Sequence, residues 1–188
     1  MLGTRDRAKE GLVKWQKEHP TARIGTFEEA VAFGEVVVLC VPGLAAEALV
    51  GQLESAIGNK LVIDVTNPVG QGAPVHGVLP FFTDYNDSLM ERLQRKAPQA
   101  KFVKAFNSAG NFFFYKPSFP GGKPTMFICG NDGDAKATVT QVVDAFGWET
   151  QDMGSVEAAR AIEPLCMLYC IPGLANNQWV HAFKLLKA

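Results

Sequence analysis

The nine residues EVVVLCVPG (Glu35–Gly43) decide the fold class of this 188-residue chain. The apolar residues follow one another without the alternation of apolar and polar positions that marks a strand with one wet face. An unbroken run of this length, ended by Pro42 and Gly43, is typical of a strand buried on both faces of a parallel sheet. We therefore predict a central parallel strand here.

Similar runs alternate with helical patterns on both sides of that strand. Predicted strands cover Ala22–Gly25, KLVIDVTNP (60–68), KFVKAFN (101–107), PTMFICG (124–130) and Glu149–Asp152. Predicted helices cover Asp6–Glu18 with Asp6 as N-cap, the segment capped by Thr26, residues 43–58, 85–98 and 131–146, and much of 156–187 with a break near Pro172 and Gly173. This alternation predicts an α/β fold with a doubly wound parallel sheet. We expect one domain over residues 1–153 and a helical C-terminal extension, residues 154–188, packed on it.

Composition excludes several function classes. The net charge of −1 provides no basic field for nucleic acid or for an anionic membrane surface. The longest apolar run, Val36–Val41, is strand-sized, so we expect no membrane span. Four cysteines fit a reducing, cytoplasmic compartment, and Cys166 and Cys170 would share a helix face without the further ligands that a metal site needs.

Ligands of open parallel sheets bind beyond the carboxyl ends of the strands. Four such strand ends combine small or polar residues with turn-forming residues, namely Gly3–Arg5, Val41–Gly43, Thr66–Pro68 and Phe106–Ser108. Each alone could be an ordinary turn, since Pro, Gly and Asn form turns everywhere. Four of them at one rim predict a binding cleft.

The first of these strand ends indicates the ligand. In dinucleotide-binding folds the end of the second strand meets the adenosine ribose, and a basic or hydroxyl residue there accommodates a 2′-phosphate. Thr4, Arg5 and Lys9, the last predicted one turn into the following helix, form a reasonable phosphate clamp. The alternative is a solvated basic helix start. The clamp predicts NADP as cofactor.

The Gly-rich fingerprint of such folds does not occur in these 188 residues. G-x-G-x-x-G would follow the first strand, roughly 20 residues ahead of the acidic or basic strand end. We therefore expect a Rossmann-like domain without its first βα unit.

Several segments, in this order and spacing, resemble one family: MLGTRD, VVVLCVP, VIDVTNP, KAFNSAG, CGNDGDAKATV and DMGSVEAARAIEPL. They are similar to the NADP-binding oxidoreductases typified by the deazaflavin (coenzyme F420)-dependent NADP reductase. The cytosolic reductase domain of the six-transmembrane metalloreductases is also similar. In that family a strand, a Gly-rich turn and a helix precede MLGTRD, and this sequence departs from the pattern there.

The resemblance implies a role for each matching position. Thr4, Arg5 and Lys9 match the group that binds the NADP 2′-phosphate. Val41 and Pro42 match the turn that lies against the ribose and pyrophosphate side of the cofactor. Asn67 and Pro68 match a turn near the nicotinamide end. Ala105 and Asn107 match the strand end beside the carboxamide. Glu157, Arg160 and Glu163 lie on a segment that matches the family's C-terminal packing and dimerisation helix. For these three residues, a solvated or interface face is a stronger interpretation than a catalytic role. The resemblance also implies a homodimer.

The predicted function is hydride transfer between NADPH and a small planar acceptor, flavin-like or deazaflavin-like. Such transfer needs positioning and exclusion of water more than acid–base groups, and no catalytic acid–base pair stands out. His76 is a weak candidate for the substrate side of the cleft. The aromatic run Phe112–Tyr115 is either a wall for the planar substrate or part of the core or a dimer surface.

Two alternatives stay open. The first is a dimeric, non-enzymatic scaffold, or a catalytically impaired relative, that binds dinucleotide weakly for want of the Gly-rich turn. The second is an imine or 3-hydroxy acid reductase on a related fold. That reaction usually needs a Lys proton donor at the cleft, and neither Lys104 nor Lys116 is well placed.

Overall fold

The computed structural model of the chain describes residues 1–187, and within them seven short strands pair in parallel. They are β1 (Leu2–Gly3), β2 (Ile24–Gly25), β3 (Val36–Leu39), β4 (Leu61–Asp64), β5 (Lys101–Lys104), β6 (Thr125–Ile128) and β7 (Glu149–Asp152). The pairs are β1 with β2, the three-stranded sheet β3-β4-β5, and β6 with β7. One antiparallel bridge, between Lys104 and Cys129, joins β5 to the end of β6. The predicted α/β fold with parallel strands is confirmed.

Helices connect successive strands. They are α1 (Glu10–Glu18), α2 (Phe27–Phe33), α3 (Gly43–Ile57), α4 (Leu89–Lys96), α5 (Gly133–Ala145), α6 (Ala159–Ile162) and α7 (Pro164–Asn176). Single 3-10 turns lie at Asn111–Phe113 and Val156–Ala158. The helical C-terminal region that the sequence predicts is therefore present.

The core forms on both faces of β4 and β5, because successive side chains of a strand point to opposite faces. Val62 and Phe102 pack with α2, α3 and α4 on one face. Ile63 and Val103 pack with α5 and Trp148 on the other. These two strands are thereby fixed from both sides, and their carboxyl ends form a rigid rim.

The start of α1 differs from the prediction. The helix begins at Glu10 rather than just after Asp6, because local turns bind the preceding backbone. Asp6 Oδ1 accepts a hydrogen bond from Ala8 N at 2.8 Å, and Thr4 Oγ1 accepts one from Asp6 N at 3.1 Å. Such side-chain bonds compete with helix formation. Asp6 is therefore not the N-cap, and Lys9 holds that position instead of lying one turn inside the helix. By contrast, the predicted cap of α2 is confirmed, since Thr26 and Glu29 form a capping box.

The strand β3 is not buried on both faces, contrary to the prediction. Val36 and Val38 are 41% and 54% exposed, whereas Leu39, on the opposite face, is 6% exposed. Within residues 1–187, β3 pairs with β4 along one edge and with no strand along the other, which we call the open edge. The β1–β2 pair is a separate sheet held by α2, with Gly3 lying directly under Phe27 and Ala30.

The helix α7 runs through Pro172 and Gly173, where a break was predicted. A Cβ at Gly173 would lie 2.3 Å from the Trp179 ring, so this glycine permits the tail to fold back closely onto the helix. The helix ends at Asn176 because Asn177 adopts a left-handed conformation, with φ of 54°. Beyond it the chain runs beside β6, where Thr125 N donates to Phe183 O at 2.9 Å.

One helical run, Val156–Asn176, is long and apolar enough to cross a membrane on length and composition. The sequence predicts no membrane span, since its longest uninterrupted apolar run, Val36–Val41, is only strand-sized. Ala159, Ile162 and Glu163 of this run are buried against the rest of the chain, and 28% of the apolar window is buried in all.

Candidate functional site

The ends of β3 and β4 meet in a very close backbone contact. Gly43 begins α3, and a Cβ there would lie 2.0 Å from the carbonyl oxygen of Asn67. Only glycine permits this approach. Pro42, the N-cap of α3, forms no side-chain cap bond, so the first backbone N–H groups of this 15-residue helix have no side-chain cap at the rim. Pro42 is exposed, Val41 is half-buried and Pro68 is buried.

The ends of β4 and β5 are joined by a pair of asparagines. Asn67 Nδ2 donates to the Asn107 carbonyl oxygen at 2.9 Å, and Asn107 Nδ2 donates to Asn67 Oδ1 at 3.1 Å. Asn107 Nδ2 also donates to the Ile162 carbonyl oxygen at 3.0 Å, which can only accept. This bond fixes which end of the Asn107 amide carries the nitrogen. The two asparagines that the sequence singles out are therefore brought together.

Asn107 Oδ1 is left without a hydrogen-bond partner among the described residues, although Asn107 is only 4% exposed. A buried, unsatisfied amide oxygen costs free energy, and such groups are uncommon outside functional sites. The preceding residue, Phe106, has φ of 59°, a left-handed conformation that is strained for a bulky side chain. The backbone is thus held in an unfavourable turn next to a buried, unpaired acceptor.

Asn67 and Asn107 line a cavity of about 510 Å³ at this edge of the sheet. Its walls are mostly apolar and come from the end of β4, the segment after β5, α7 and the tail. The lining residues include Asn67, Asn107, Cys166, Tyr169 and Cys170, with the aromatic residues Phe112–Phe114. Tyr169 is fixed there, because its hydroxyl donates to the Trp179 carbonyl oxygen at 2.9 Å. Three residues of the aromatic run, Phe112–Phe114, therefore contribute to a cavity wall, although Phe112 is 90% exposed, and Tyr115 does not line it.

Thr4, Arg5 and Lys9 lie on the connection between β1 and α1. Arg5 is exposed and forms no salt bridge within residues 1–187, whereas Arg7 pairs with Glu29 of α2. Lys9 supplies no side-chain cap, so the first amides of α1 are not capped. An unpaired guanidinium beside an uncapped helix start is an arrangement suited to an anion.

Two predicted positions have no polar contact to a ligand cavity. Ala105 is fully buried, and its N–H donates to the Asp64 carbonyl oxygen at 3.1 Å. His76 is exposed at the tip of a tight turn, in which Val75 and Val78 exchange backbone hydrogen bonds. The turn packs on α7 through Gly77, and His76 is not among the residues that line the cavity.

A buried ionic network below the rim was missed by sequence reasoning. Lys104, fully buried, places Nζ 2.7 Å from Asp64 Oδ2 and 3.0 Å from Glu163 Oε1, and donates to the Thr66 carbonyl oxygen at 2.9 Å. Glu163 in turn accepts from the backbone N–H groups of Leu89 and Met90 at the start of α4. Interpreting Glu163 as a solvated or interface residue was wrong, since it is 2% exposed. The sequence did carry one signal for this network, because Asp64 and Lys104 each place a charge in an otherwise apolar predicted strand.

This network holds Lys104 in its charged form. Burial lowers the pKa of its ammonium, but the attraction of Asp64 and Glu163 outweighs burial and raises the pKa above its ordinary value. The ammonium is therefore a structural cation and not a proton donor. This agrees with the sequence analysis, in which Lys104 is not well placed to act as a proton donor.

Arg160 belongs to a second ion pair nearby. Its guanidinium contacts both carboxylate oxygens of Glu91, with Nη2 2.6 Å from Oε1 and Nε 3.0 Å from Oε2. Burial raises the pKa of Glu91, but the hydrogen bonds from Arg160 and Ser88 outweigh it and lower the pKa to about 2. Glu157 instead lies exposed and bonds Ser155. Of these helix residues, Arg160 and Glu163 thus fix the C-terminal helices to α4 and the sheet.

Comparison with known proteins bears on this arrangement. The profile of the family described as "NADP oxidoreductase coenzyme F420-dependent" matches residues 2–68. A solved structure of a candidate F420-dependent NADP reductase from Arthrobacter sp. FB24 superposes with a TM-score of 0.88 at 27% identity. The match covers 98% of this chain and 87% of that one. The chain is therefore similar in sequence and in fold to coenzyme F420-dependent NADP oxidoreductases.

Two curated relatives match most of this chain. The F420-dependent NADP reductase of Methanocaldococcus jannaschii is 25% identical over 142 residues, or 75% of the chain. The metalloreductase STEAP3 of Rattus norvegicus is 29% identical over 144 residues, or 77% of the chain. The chain spans 63% of the length of the first and 27% of the length of the second. Both relatives are thus longer than the part that this chain matches.

Proposed function

We propose that the chain binds NADP(H) across the rim formed by β1, β3, β4 and β5 and takes part in hydride transfer to a small planar acceptor. The observation that carries this proposal is the unpartnered Asn107 Oδ1 at the end of β5. A nicotinamide carboxamide has an NH₂ group, which could donate to this buried acceptor and relieve its cost. The names of the relatives support a nicotinamide cofactor and a redox acceptor.

The phosphate end of the cofactor is assigned to the opposite end of the rim. Arg5 has no salt bridge within the described residues and follows β1, where dinucleotide folds place the adenosine ribose. Thr4 and Lys9 lie on the same connection. A charged hydrogen bond from a guanidinium to the 2′-phosphate favours NADP over NAD.

Between these ends the chain provides a small-residue path for the cofactor. Gly43 lets the turns after β3 and β4 approach closely, and the uncapped start of α3 offers N–H groups to the ribose and pyrophosphate side. When bound, the nicotinamide would supply the hydride. The residues of this chain position it and, through the apolar cavity beside Asn107, exclude water from an acceptor.

Titration of NADPH and NADH into wild-type, Arg5→Ala and Arg7→Ala proteins tests the proposal. A lost charged hydrogen bond costs about 1.5–3 kcal/mol, so Arg5→Ala should weaken NADPH binding by roughly tenfold to a hundredfold and leave NADH binding unchanged. Arg7→Ala is the matched control, because Arg7 already pairs with Glu29. Equal affinity of the wild-type protein for NADPH and NADH would refute the assignment of the phosphate end.

The alternative function, a scaffold that binds dinucleotide weakly, is separated by the same titration. It predicts that the wild-type protein binds both nucleotides only weakly. Hydride transfer is then tested directly by following NADPH absorbance with a flavin and with a deazaflavin as acceptors. Oxidation with neither acceptor, despite tight NADPH binding, would contradict the proposed acceptor class.

A further inference from the structure

The turn that carries Asn67 is held from inside the protein by two buried side chains. Thr66, which precedes Asn67, donates from its backbone N–H and from its hydroxyl to Asp64 Oδ1, at 2.9 Å and 2.6 Å. Its carbonyl oxygen accepts from Lys104 Nζ at 2.9 Å. Each hydrogen-bonding group of Thr66 is therefore used, and the residue is 2% exposed. Asp64 and Lys104 thus set the conformation of the backbone that leads into Asn67.

The same ammonium also contacts the segment that orients Asn107. Lys104 Nζ lies 3.0 Å from Glu163 Oε1, and Glu163 directly follows Ile162 in the chain. The Ile162 carbonyl oxygen accepts from Asn107 Nδ2 at 3.0 Å. One buried cation is therefore linked, one residue away, to both members of the asparagine pair. The four residues that it joins are called the buried unit: Asp64, Thr66, Lys104 and Glu163.

We propose that the buried unit positions the asparagine pair for the nicotinamide carboxamide and so sets the affinity for that end of the cofactor. The inference rests on the proposed function, in which Asn107 Oδ1 accepts from the carboxamide. Two bonds of Asn107 Nδ2, to Asn67 Oδ1 at 3.1 Å and to the Ile162 carbonyl oxygen, fix the direction of the unpaired oxygen. Because the buried unit anchors the segments that carry both acceptors, a shift within it turns that oxygen away from its ligand. None of the four residues lines the cavity, so they act through the asparagines.

The charges of the buried unit suit it to hold a fixed geometry. Asp64 and Lys104 are fully buried and Glu163 is 2% exposed, so salt screens their attraction little. The two carboxylates raise the pKa of Lys104 against the effect of burial, which keeps the ammonium charged at neutral pH. Hydrogen bonds to charged groups are shorter and stronger than those between neutral groups. The asparagine pair is therefore anchored to the stiffest polar contacts below the rim.

Substitutions of Thr66 test the positioning role in the full chain. Thr66→Val removes the hydroxyl bond to Asp64 and keeps the branched shape, whereas Thr66→Ser keeps the hydroxyl. We expect Thr66→Val to weaken NADPH binding roughly three- to tenfold and to leave binding of 2′,5′-ADP, which lacks the nicotinamide, unchanged. Thr66→Ser should restore most of the NADPH affinity. Thr125→Val is the matched control, since Thr125 is 3% exposed and its hydroxyl accepts from Leu185 N at 3.0 Å, at the opposite, amino end of β6.

A second measurement reports the geometry without any ligand. The side-chain amide signals of Asn67 and Asn107 in heteronuclear NMR spectra should move in Thr66→Val and stay in place in Thr125→Val. Circular dichroism confirms that each variant is folded. Wild-type NADPH affinity and unmoved amide signals in folded Thr66→Val would overturn the positioning role and leave the proposed function standing. Failure of the wild-type protein to bind NADPH would instead reject the proposed function, and the positioning role with it.

Discussion

Lys104 Nζ lies 3.0 Å from Glu163 Oε1, which ties the middle of the sheet to the N-cap residue of α7. Because Glu163 also accepts the first N–H groups of α4, one carboxylate connects β5, α4 and α7. The wall of the cavity that α7 provides is thus positioned by a charge pair and not by apolar packing alone.

Replacing Lys104 by Met should destabilise the fold strongly. It leaves Asp64 and Glu163 as buried carboxylates without their cation, and loss of one partner of a buried pair costs about 3–5 kcal/mol. Lys101→Met on the same strand is the matched control, since Lys101 pairs with Asp132 at the surface and should cost about 1 kcal/mol or less. Urea unfolding measures both. Similar losses in the two variants would show that the buried network carries no special stability.

The Glu91–Arg160 pair should make stability depend on acid pH. The pKa of Glu91 is about 2 in the fold, against an ordinary value of 4.5, so its contribution is complete above pH 4.5 and is lost as the pH falls from there toward 2. Glu91→Gln should lower the free energy of unfolding at pH 7 by roughly 1–3 kcal/mol, an amount reduced by the partial exposure of Arg160. The difference from wild type should shrink in urea titrations at pH 4 and pH 3. A constant difference across this range would contradict the ion-pair assignment.

Two glycines of α3 should respond in opposite directions to alanine. Gly43→Ala places a Cβ against the Asn67 carbonyl oxygen, a backbone atom, and should destabilise the protein by about 1–3 kcal/mol. Gly51→Ala meets nothing closer than the Lys96 side chain at 3.9 Å and should stabilise the helix by about 0.5–1 kcal/mol. Thermal unfolding checks the pair. A stable Gly43→Ala protein would mean that the rim can relax at this point.

A fragment of the cofactor can test which end of NADPH Asn107 binds. We expect Asn107→Ala to weaken NADPH binding by roughly tenfold and to leave binding of 2′,5′-ADP, the adenosine end alone, unchanged. Arg5→Ala should weaken both ligands. The control is Asn111→Ala, on an exposed residue of the same cavity rim. Loss of 2′,5′-ADP binding in Asn107→Ala would place this residue at the wrong end of the cofactor.

The fold class was predictable because it depends on local patterns. Apolar runs and helical periodicity identified the elements, and Thr26 with Glu29 marked the start of α2 as a capping box. Asp6 misled the prediction of α1, since a residue that can cap a helix can equally bond a turn, and Thr4 was there to form one. Pro172 misled the prediction of α7, because the packing of Gly173 on Trp179 outweighs the local preference for a break.

The site was predictable only in part. Strand ends could be identified in sequence, so Asn67 and Asn107 were singled out before their contact was known. The ion pair of Lys104 with Glu163 could not be predicted, because it joins distant segments and depends on which face of the last helices turns inward. The exposure of Val36 and Val38 is likewise a property of neighbouring strands and not of the run itself.

The open edge of β3 carries a consequence for how the protein behaves in solution. Within residues 1–187, the N–H and C=O groups along this edge pair with no strand and lie beside the exposed Val36 and Val38. In a preparation of these 188 residues we expect an extended segment of a second copy to pair with this edge, so concentration should govern how long the preparation stays monodisperse. Light scattering on wild-type and Val38→Lys proteins should show slower growth of large particles in the variant. In handling this protein, association between molecules therefore needs to be controlled before unfolding does.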